Sequence, residues 1–217
     1  MIRRFPVTIA ELLAFLDDLA PERLRAHLPR LADGTPMLDG GPGAWRAVDP
    51  VWGRPRQPAG GVDWPTARAI ARWAADRDHI PWDLPGELFW EKAARGVDGR
   101  PYPWGDRLDP SFCLALRPGP RRVDEVDSWP VDTSIYSVRG LAGNTRDWCL
   151  DPYRREGPRI EGRRAVVDPN APAGSNAREA RGGHVSEPLH AARVTARGGG
   201  LENQHRPYLG LRLARRW

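Results

Sequence analysis

Lysine is almost missing from this sequence of 217 residues. Lys92 is the single lysine among 33 basic residues, so arginine carries nearly all of the positive charge behind the net charge of +5. The arginines are scattered and most have acidic residues nearby, whereas nucleic-acid binding is typical of basic side chains clustered on one face. We therefore expect no nucleic-acid partner.

Cysteine is also scarce, and no long hydrophobic run is present. Cys113 and Cys149 do not form a Cys-x-x-Cys spacing, which argues against a zinc site built on them and leaves a disulfide between them open. No apolar run is long enough to cross a bilayer, so we expect no membrane contact. The stretch 5–19 carries acidic residues and lacks a signal-peptide cleavage site. These features predict a cytoplasmic protein with reduced thiols.

Glycine, proline and tryptophan are abundant instead, with 23, 23 and 10 copies. The glycines and prolines predict many turns and little long helix or sheet. Residues 8–19 predict an amphipathic helix, in which Thr8 and Glu11 have the spacing of a capping box. Further helices are predicted in "PERLRAHLPRL", in 65–77 and in "LPGELFWEKAARG", the last ended by Gly96.

After Gly96 the sequence predicts short strands separated by turns. The strand-like segments are "RVDEVDSWPV", "DWCLD", "ARVTAR" and "YLGLRLA", and residues 154–180 predict a long polar loop. Helices followed by irregular short strands predict the α+β class.

One stretch, "GLAGNTRDWCLD" at 140–151, places a carboxylate beside a large apolar ring directly after a turn. Glycine and asparagine both tolerate the positive φ that such turns require. Asn144 and Asp147 could cap this turn through bonds from side chain to backbone. The residues alone leave open whether the turn is a structural knot or a working site.

Several segments, taken in order, resemble the formylglycine-generating enzyme (sulfatase-modifying factor) family. "GRPYPWGD" is similar to the family's x-x-Y-P-W-G-x, "VRGLAGNTRDW" to L-x-D-M-x-G-N-V-W-E-W, and "RGGHV" to R-G-G-S-W. The collinear matches cover 5–16, 60–75, 83–96, 99–106, 138–148, 181–197 and 208–215. The resemblance implies a C-type-lectin-like fold, with few helices on a small, twisted, mostly antiparallel sheet. It also implies one domain over 1–217, with an N-terminal strand truncated or supplied elsewhere.

The resemblance implies structural roles for motif tryptophans and arginines. The arginines are expected to pair with buried acids such as Glu87 or Glu91. These structural residues are Trp64, Trp73, Trp90, Trp104, Trp148, Arg181, Arg197 and Arg212.

The resemblance also implies a structural calcium ion at the Asn144 turn. Asn144 and Asp147 would bind it together with backbone carbonyls, an all-oxygen set that suits calcium. The implied carbonyls belong to Leu141, Gly143 and Thr145.

Family oxidases convert a sulfatase cysteine to formylglycine with copper(I) bound by two cysteines that follow R-G-G-S-[WY]. Thiolates suit that soft ion. The matching segment "RGGHVSEPLHAAR" has no cysteine: the first position falls on Glu187 and the second near Leu189 or His190. We therefore expect no copper and no formylglycine-generating activity.

Two further chemistries are open by resemblance. The related ergothioneine-type sulfoxide synthases carry an iron-binding histidine triad, but no His-x-x-x-His-x-Glu spacing occurs here. His184, Glu187 and His190 lie on one segment and could form another metal site, which would make the protein a metal-dependent oxidoreductase.

Other members of the fold are non-catalytic modules beside bacterial kinases and signalling proteins, or variable proteins of diversity-generating retroelements. The C-terminal segment 181–213 is rich in long polar side chains, which suits a binding face on a fixed scaffold. We expect a binding or sensory module for a protein or small-molecule ligand, with an associated or fused signalling domain. The candidate binding residues are His184, Glu187, His190, Arg193, Asn203 and His205.

Overall fold

The computed structural model describes residues 1–118, 121–162, 164–166 and 176–215. Its α-helices are α1 (Ile9–Asp17), α2 (Pro21–His27), α3 (Trp64–Asp78) and α4 (Glu87–Arg95). Two 3₁₀ helices span Pro50–Trp52 and Leu189–Ala192. The strands are β1 (Leu38–Asp39), β2 (Arg46–Ala47), β3 (Arg146–Pro152), β4 (Ile160–Glu161), β5 (Arg164–Ala165), β6 (Ala177–Arg181), β7 (Arg197–Leu201) and β8 (Leu209–Gly210).

Three helix ends coincide with capping residues in the sequence. Thr8 and Glu11 form the predicted capping box at the start of α1. Asp63 accepts a hydrogen bond from the Thr66 N–H at the start of α3. Gly96 follows α4 with a φ of 72°, as predicted for a residue that ends a helix. Within the described residues, no helix is both long and apolar enough to cross a membrane.

The main sheet has four strands in the order β7-β6-β3-β8. The pairs β7·β6 and β6·β3 are antiparallel, whereas β3·β8 is parallel. Arg181 of β6 lies opposite Asp147 of β3 and Arg197 of β7, so the motif charges meet in one row across the sheet. The small, mostly antiparallel sheet with few helices confirms the predicted α+β class.

The largest hydrophobic cluster packs α1 and α3 against the sheet. Its members include Leu12, Leu16, Ile70 and Leu213, together with the fully buried Trp148 of β3. The indole N–H of Trp148 donates to the Val62 carbonyl at 3.0 Å, so this ring is both buried and hydrogen-bonded. Burial of this kind is the main driving force for the fold.

Two of the three glycines in strand β7, "RGGGL", lie against aromatic rings. A Cβ at Gly199 would lie 2.5 Å from the Tyr153 ring, and one at Gly200 would lie 2.7 Å from the Trp148 ring. Glycine therefore lets two aromatic side chains lie directly on the strand.

Two predicted strands and one predicted loop need correction. Segment 122–131 is irregular with turns, and most of 192–197 is a 3₁₀ end and a loop, with β7 beginning at Arg197. Conversely, β4, β5 and all of β6 except Arg181 lie inside the predicted loop 154–180, of which residues 163 and 167–175 are outside the described residues. The β6 sequence "AREAR" does not read as a buried strand, because its buried side chains are charged and paired.

Candidate ligand-binding site

The motif arginines hold the sheet to α4 and to the chain's N-terminal segment. Arg181 pairs with Glu91, and Arg197 pairs with Glu87 and Glu179, the latter two at N–O distances of 2.8 Å. These acids include both of those that the sequence suggested as partners. Because Glu87 and Glu91 sit on α4 and Glu179 sits on β6, these contacts fix the helix against the sheet.

Arg212 uses its whole guanidinium in this framework. Its Nε donates to Asp147 at 3.0 Å, and its two terminal nitrogens donate to four backbone carbonyls. The Trp90 indole N–H donates to the same Asp147 oxygen at 2.8 Å. Asp147 is thus a buried acceptor for the protein's own donors, which satisfies it fully at that oxygen.

The turn at 140–145 is held by a second carboxylate, Asp132. Its oxygens accept from the Leu141 and Ala142 N–H groups at 3.0–3.2 Å, and it is almost fully buried. Burial raises the pKa of Asp132 to about 6, although these backbone donors oppose the shift. The turn therefore directs its N–H groups onto a protein carboxylate.

Asn144 is the centre of the turn, with a φ of 71°. Its side chain exchanges two hydrogen bonds of 2.9 Å with the backbone of Asp124. Its own N–H donates to the Leu114 carbonyl, and its carbonyl accepts from the Val185 N–H. Asn144 thereby joins three separate segments of the chain.

This geometry does not fit the calcium ion that the resemblance implied. The Asn144 side-chain oxygen is occupied by Asp124, and Asp147 lies against the Arg212 guanidinium. A cation would have to compete with both. Leu141, Gly143 and Thr145 lie on the same turn, to which Asp132 and Asn144 supply stabilising hydrogen bonds.

Beside this turn, Arg146, His184 and Tyr208 line a small pocket, and Glu187 contacts both Arg146 and His184. Arg146 donates to Glu187 and to the Gly182 carbonyl at 2.6 and 2.7 Å. The His184 ring stacks on Tyr208 with a centroid distance of 3.9 Å. We call this cluster the His184 pocket; its cavity of about 20 Å³ also reaches Gln204 and Arg206.

His184 has a defined tautomer in this arrangement. Its Nδ1 accepts from the Ser186 N–H at 3.1 Å, so Nε2 carries the proton and faces Glu187 at 3.4 Å. Burial lowers the pKa of His184 and keeps its ring neutral. Burial favours a higher pKa for Glu187, but His184 and Arg146 outweigh it and hold the pKa of that carboxyl below its ordinary value.

A larger groove is lined by Val185, the residue that follows His184. It has a volume of about 520 Å³ and an apolar floor of Leu114, Ala115 and Val185. Trp129 forms one side, and the Arg117 guanidinium lies 4.6 Å above that ring. We call it the arginine groove, because its lining also includes Arg121, Arg122, Pro118 and Asp124.

The predicted binding residues divide between several surfaces. His184 and Glu187 meet in the His184 pocket. Arg193 lies over the Tyr102 ring, and the His205 Nδ1 lies 2.9 Å from the Gly61 carbonyl. His190 and Asn203 are exposed, and neither lines the His184 pocket.

Sequence reasoning did not assign Arg146 and Tyr208 to the site. A signal for Arg146 was present, because it stands where the motif G-N-V-W-E-W has a tryptophan. His184 and Val185 likewise replace the serine and tryptophan of R-G-G-S-W. Arg146 and His184 line the same pocket, and Val185 lines the arginine groove, so departures from the motifs mark both concavities.

The tryptophans expected to be structural differ in burial. Trp90 and Trp148 are fully buried, whereas Trp104 is half-buried and stacks on Tyr102 at the surface. Half-buried rings pin other segments: the Trp64 indole N–H donates to the Cys149 carbonyl, and that of Trp73 donates to Asp18. Trp104 is thus a peripheral contact and not a core residue.

The two cysteines do not resemble a copper site. Cys113 and Cys149 are buried free thiols in different hydrophobic clusters. Burial raises the pKa of Cys113 to about 12 and raises that of Cys149 well above its ordinary value, which disfavours the thiolate that copper(I) needs. The segment that should carry the copper cysteines instead presents Glu187, already paired with Arg146.

Solved structures define the class of this fold. The structure of PvdO from Pseudomonas aeruginosa superposes with a TM-score of 0.75 and 22% identity, covering all of this chain and 80% of that one. The family model for the sulfatase-modifying factor enzyme 1-like domain matches residues 1–217. The chain belongs to this family, which the sequence resemblance had predicted.

Two curated relatives of different character match most of the chain. It is 34% identical to the formylglycine-generating enzyme of Streptomyces coelicolor over 190 residues, covering 78% of this chain and 57% of that protein. It is 28% identical to the inactive C-alpha-formylglycine-generating enzyme 2 of Bos taurus, covering 78% and 58%. The chain thus spans little more than half the length of these relatives.

Proposed function

We propose that this chain is a non-catalytic binding module of the sulfatase-modifying factor family. The proposal rests on one observation. Glu187 stands at the first copper-cysteine position of the family and forms an ion pair with Arg146 at 2.6 Å. A carboxylate committed to an arginine cannot replace a pair of soft thiolates. The existence of a related protein named as inactive supports this proposal.

The arrangement of the site favours recognition of a ligand. In the His184 pocket, hydrogen bonds and ring stacking fix the orientation of each polar group before a ligand arrives. The arginine groove adds apolar surface and concavity, which are typical of ligand sites. The ligand is a small molecule or part of a protein, and a signalling domain is a natural partner for such a module.

The thiols support a cytoplasmic location as part of this proposal. Cys113 and Cys149 are both free in the structure. Unpaired cysteines are typical of proteins kept in a reducing compartment.

The second candidate is a metal-dependent oxidoreductase of the same family. Two observations favour it: the 3.4 Å contact between His184 and Glu187, and 34% identity to a formylglycine-generating enzyme. His190 would be needed as a third ligand. Among the described residues, however, no group of three or more histidine, cysteine or acidic side chains has the geometry of a metal site.

A turnover assay separates the two candidates. Purified protein would be loaded with copper(I), mixed with a cysteine-containing sulfatase peptide, and analysed by mass spectrometry for conversion of the thiol side chain to an aldehyde. We expect no conversion, because the groups at the site offer no pair of thiolates.

The Streptomyces coelicolor enzyme would serve as the positive control in that assay. Conversion by this chain that is lost in Cys113→Ser or Cys149→Ser would refute the non-catalytic proposal. Conversion that is lost only in Glu187→Ala would instead support the oxidoreductase with another metal arrangement.

A further inference from the structure

We propose that the arginine groove binds a small organic anion with a flat apolar body. This inference deepens the proposed function, on which it rests, by naming the chemical class of the ligand. Three features of the groove carry it: unbalanced positive charge, an apolar floor, and a size suited to a small molecule.

The charge comes from Arg117, Arg121 and Arg122. Within the described ranges, no ion pair joins Arg117 or Arg121 to a carboxylate, and Arg122 lies 3.8 Å from Asp124. Asp124 is shared, because it also lies 3.9 Å from Arg54 and accepts from the Trp129 indole. The groove therefore has more positive than negative charge, which favours an anion.

The apolar floor of the groove favours a ligand that has an apolar body as well as a negative charge. Leu114 and Val185 are 8% and 4% exposed, and they pack with Val123, Trp129 and Tyr208 in one hydrophobic cluster. The Arg117 guanidinium on the Trp129 ring presents a cation beside an aromatic face. A flat apolar body can cover this floor while its anionic group meets the arginines at the rim.

The floor is also well supported. Asn144 makes backbone hydrogen bonds to Leu114 and Val185, and its side chain holds Asp124. One turn thus fixes three segments that line the groove, which limits the ordering cost of binding.

Size and surroundings favour a small molecule over a polyanion. The volume of about 520 Å³ lies within the range of roughly 300–1,000 Å³ found for small-molecule sites. Beyond the groove, Glu125 and Asp127 lie beside Arg54 and Arg56 and balance their charge. The basic surface is therefore short, whereas nucleic acids and acidic peptides require an extended one.

A matched pair of fluorescent probes tests the inference. 8-Anilinonaphthalene-1-sulfonate and N-phenyl-1-naphthylamine share one aromatic body, and only the first carries an anionic group. We expect the full chain to bind the sulfonate at least about tenfold more tightly than the neutral probe, a difference near 1.4 kcal/mol. The preference should fall with added salt.

Three variants locate the binding. The double variant Arg121→Gln/Arg122→Gln should remove most of the preference for the sulfonate. Trp129→Leu should weaken both probes, because it removes the aromatic face. The control Arg23→Gln/Arg25→Gln, at exposed positions on α2, should change neither, and urea unfolding would verify that each variant is folded.

Several outcomes would overturn the inference. Equal affinity for the two probes, or a preference that survives Arg121→Gln/Arg122→Gln, would reject the anionic class. Displacement of the probe by inorganic phosphate at equal concentration would reject the apolar body. Tighter, arginine-dependent binding of polyglutamate or an oligonucleotide would reject the small ligand.

The turnover assay keeps the two proposals separate. If neither probe binds and no turnover occurs, the anion inference fails while the non-catalytic module stands. Turnover with copper would remove the module itself, whatever the probes do.

Discussion

Single residues such as Asn144 stabilise this fold through contacts that the sequence predicts only in part. The positive φ of Asn144 was predictable from "GLAGNTRDW", but its partner Asp124 lies 20 residues earlier. The resemblance implied that calcium stabilises the turn. In the structure, the side chains of Asp132, Asn144 and Arg212 make hydrogen bonds that stabilise it. Ligand sets and hydrogen bonds of this kind depend on distant contacts, which residue patterns do not specify.

Asn144→Asp discriminates the two accounts of the turn. The new carboxylate would lose the donor that bonds the Asp124 carbonyl and place an oxygen against it. We predict a loss of about 1–3 kcal/mol in the free energy of unfolding, measured with urea. If the turn instead bound calcium, the added charge would strengthen the site, and the variant would become more stable as calcium is added.

Glu179 predicts a pH dependence of stability. It is fully buried, shares Arg197 with Glu87, and one of its oxygens meets no donor in the described structure. Arg181 also lies near it. Burial, then the Glu87 carboxylate, raise the pKa of Glu179 from 4.5 to about 8.

The direction of this pH dependence follows from how many protons the folded and unfolded chains bind. Between pH 4.5 and about 8 the folded protein holds a proton on Glu179 that the unfolded chain releases. The stability from this group is therefore complete below pH 4.5 and is lost as the pH rises through about 8.

Glu179→Gln should remove that slope. We would measure the free energy of unfolding of wild type and variant with urea. We predict that the wild-type value minus the variant value declines by about 1 kcal/mol or more between pH 5 and pH 9. The exposed Glu161→Gln serves as the control, since its difference from wild type should stay flat. A flat difference for Glu179→Gln would mean that Glu179 is ionised in the folded state throughout.

At the scale of elements, helices were easier to predict than strands. Helices α1, α3 and α4 follow from local signals, such as Thr8, Pro65 and Gly96, that act within one turn. Strand β6 was missed because Arg178, Glu179 and Arg181 look exposed in sequence but are buried, each hydrogen-bonded to a partner side chain. Its partner β7, "RGGGL", also lacks the alternating apolar pattern that indicates a strand.

Strand β7 packs so closely on Trp148 that Gly200 has no room for a methyl group. An alanine Cβ at Gly200 would lie 2.7 Å from the buried Trp148 ring, which cannot move easily. We predict that Gly200→Ala lowers the free energy of unfolding by about 1–3 kcal/mol. Gly41→Ala is the matched control, because nothing lies within 4 Å of its new methyl group.

Equal stabilities of the two glycine variants would show that β7 does not lie on Trp148 as described. A larger loss for Gly41→Ala than for Gly200→Ala would contradict the packing at both positions.

For the whole molecule, the fold was predictable and the site was not. Seven collinear segments carried the family, because motifs such as "YPWGD" specify local packing wherever they occur. The site depends on the positions where this chain departs from those motifs, Arg146, His184 and Val185. Only the fold brings Arg146 beside His184 and places Val185 in the arginine groove, so this arrangement was not visible in the sequence.

The central claim is that arginines, carboxylates and Asn144 hold this domain together without a metal ion. The most direct test is elemental mass spectrometry of the purified protein, with thermal unfolding measured before and after chelation. We predict no stoichiometric calcium, copper or iron, and the same unfolding temperature after chelation. Stoichiometric calcium with stability lost on chelation, or stoichiometric copper or iron, would contradict the account.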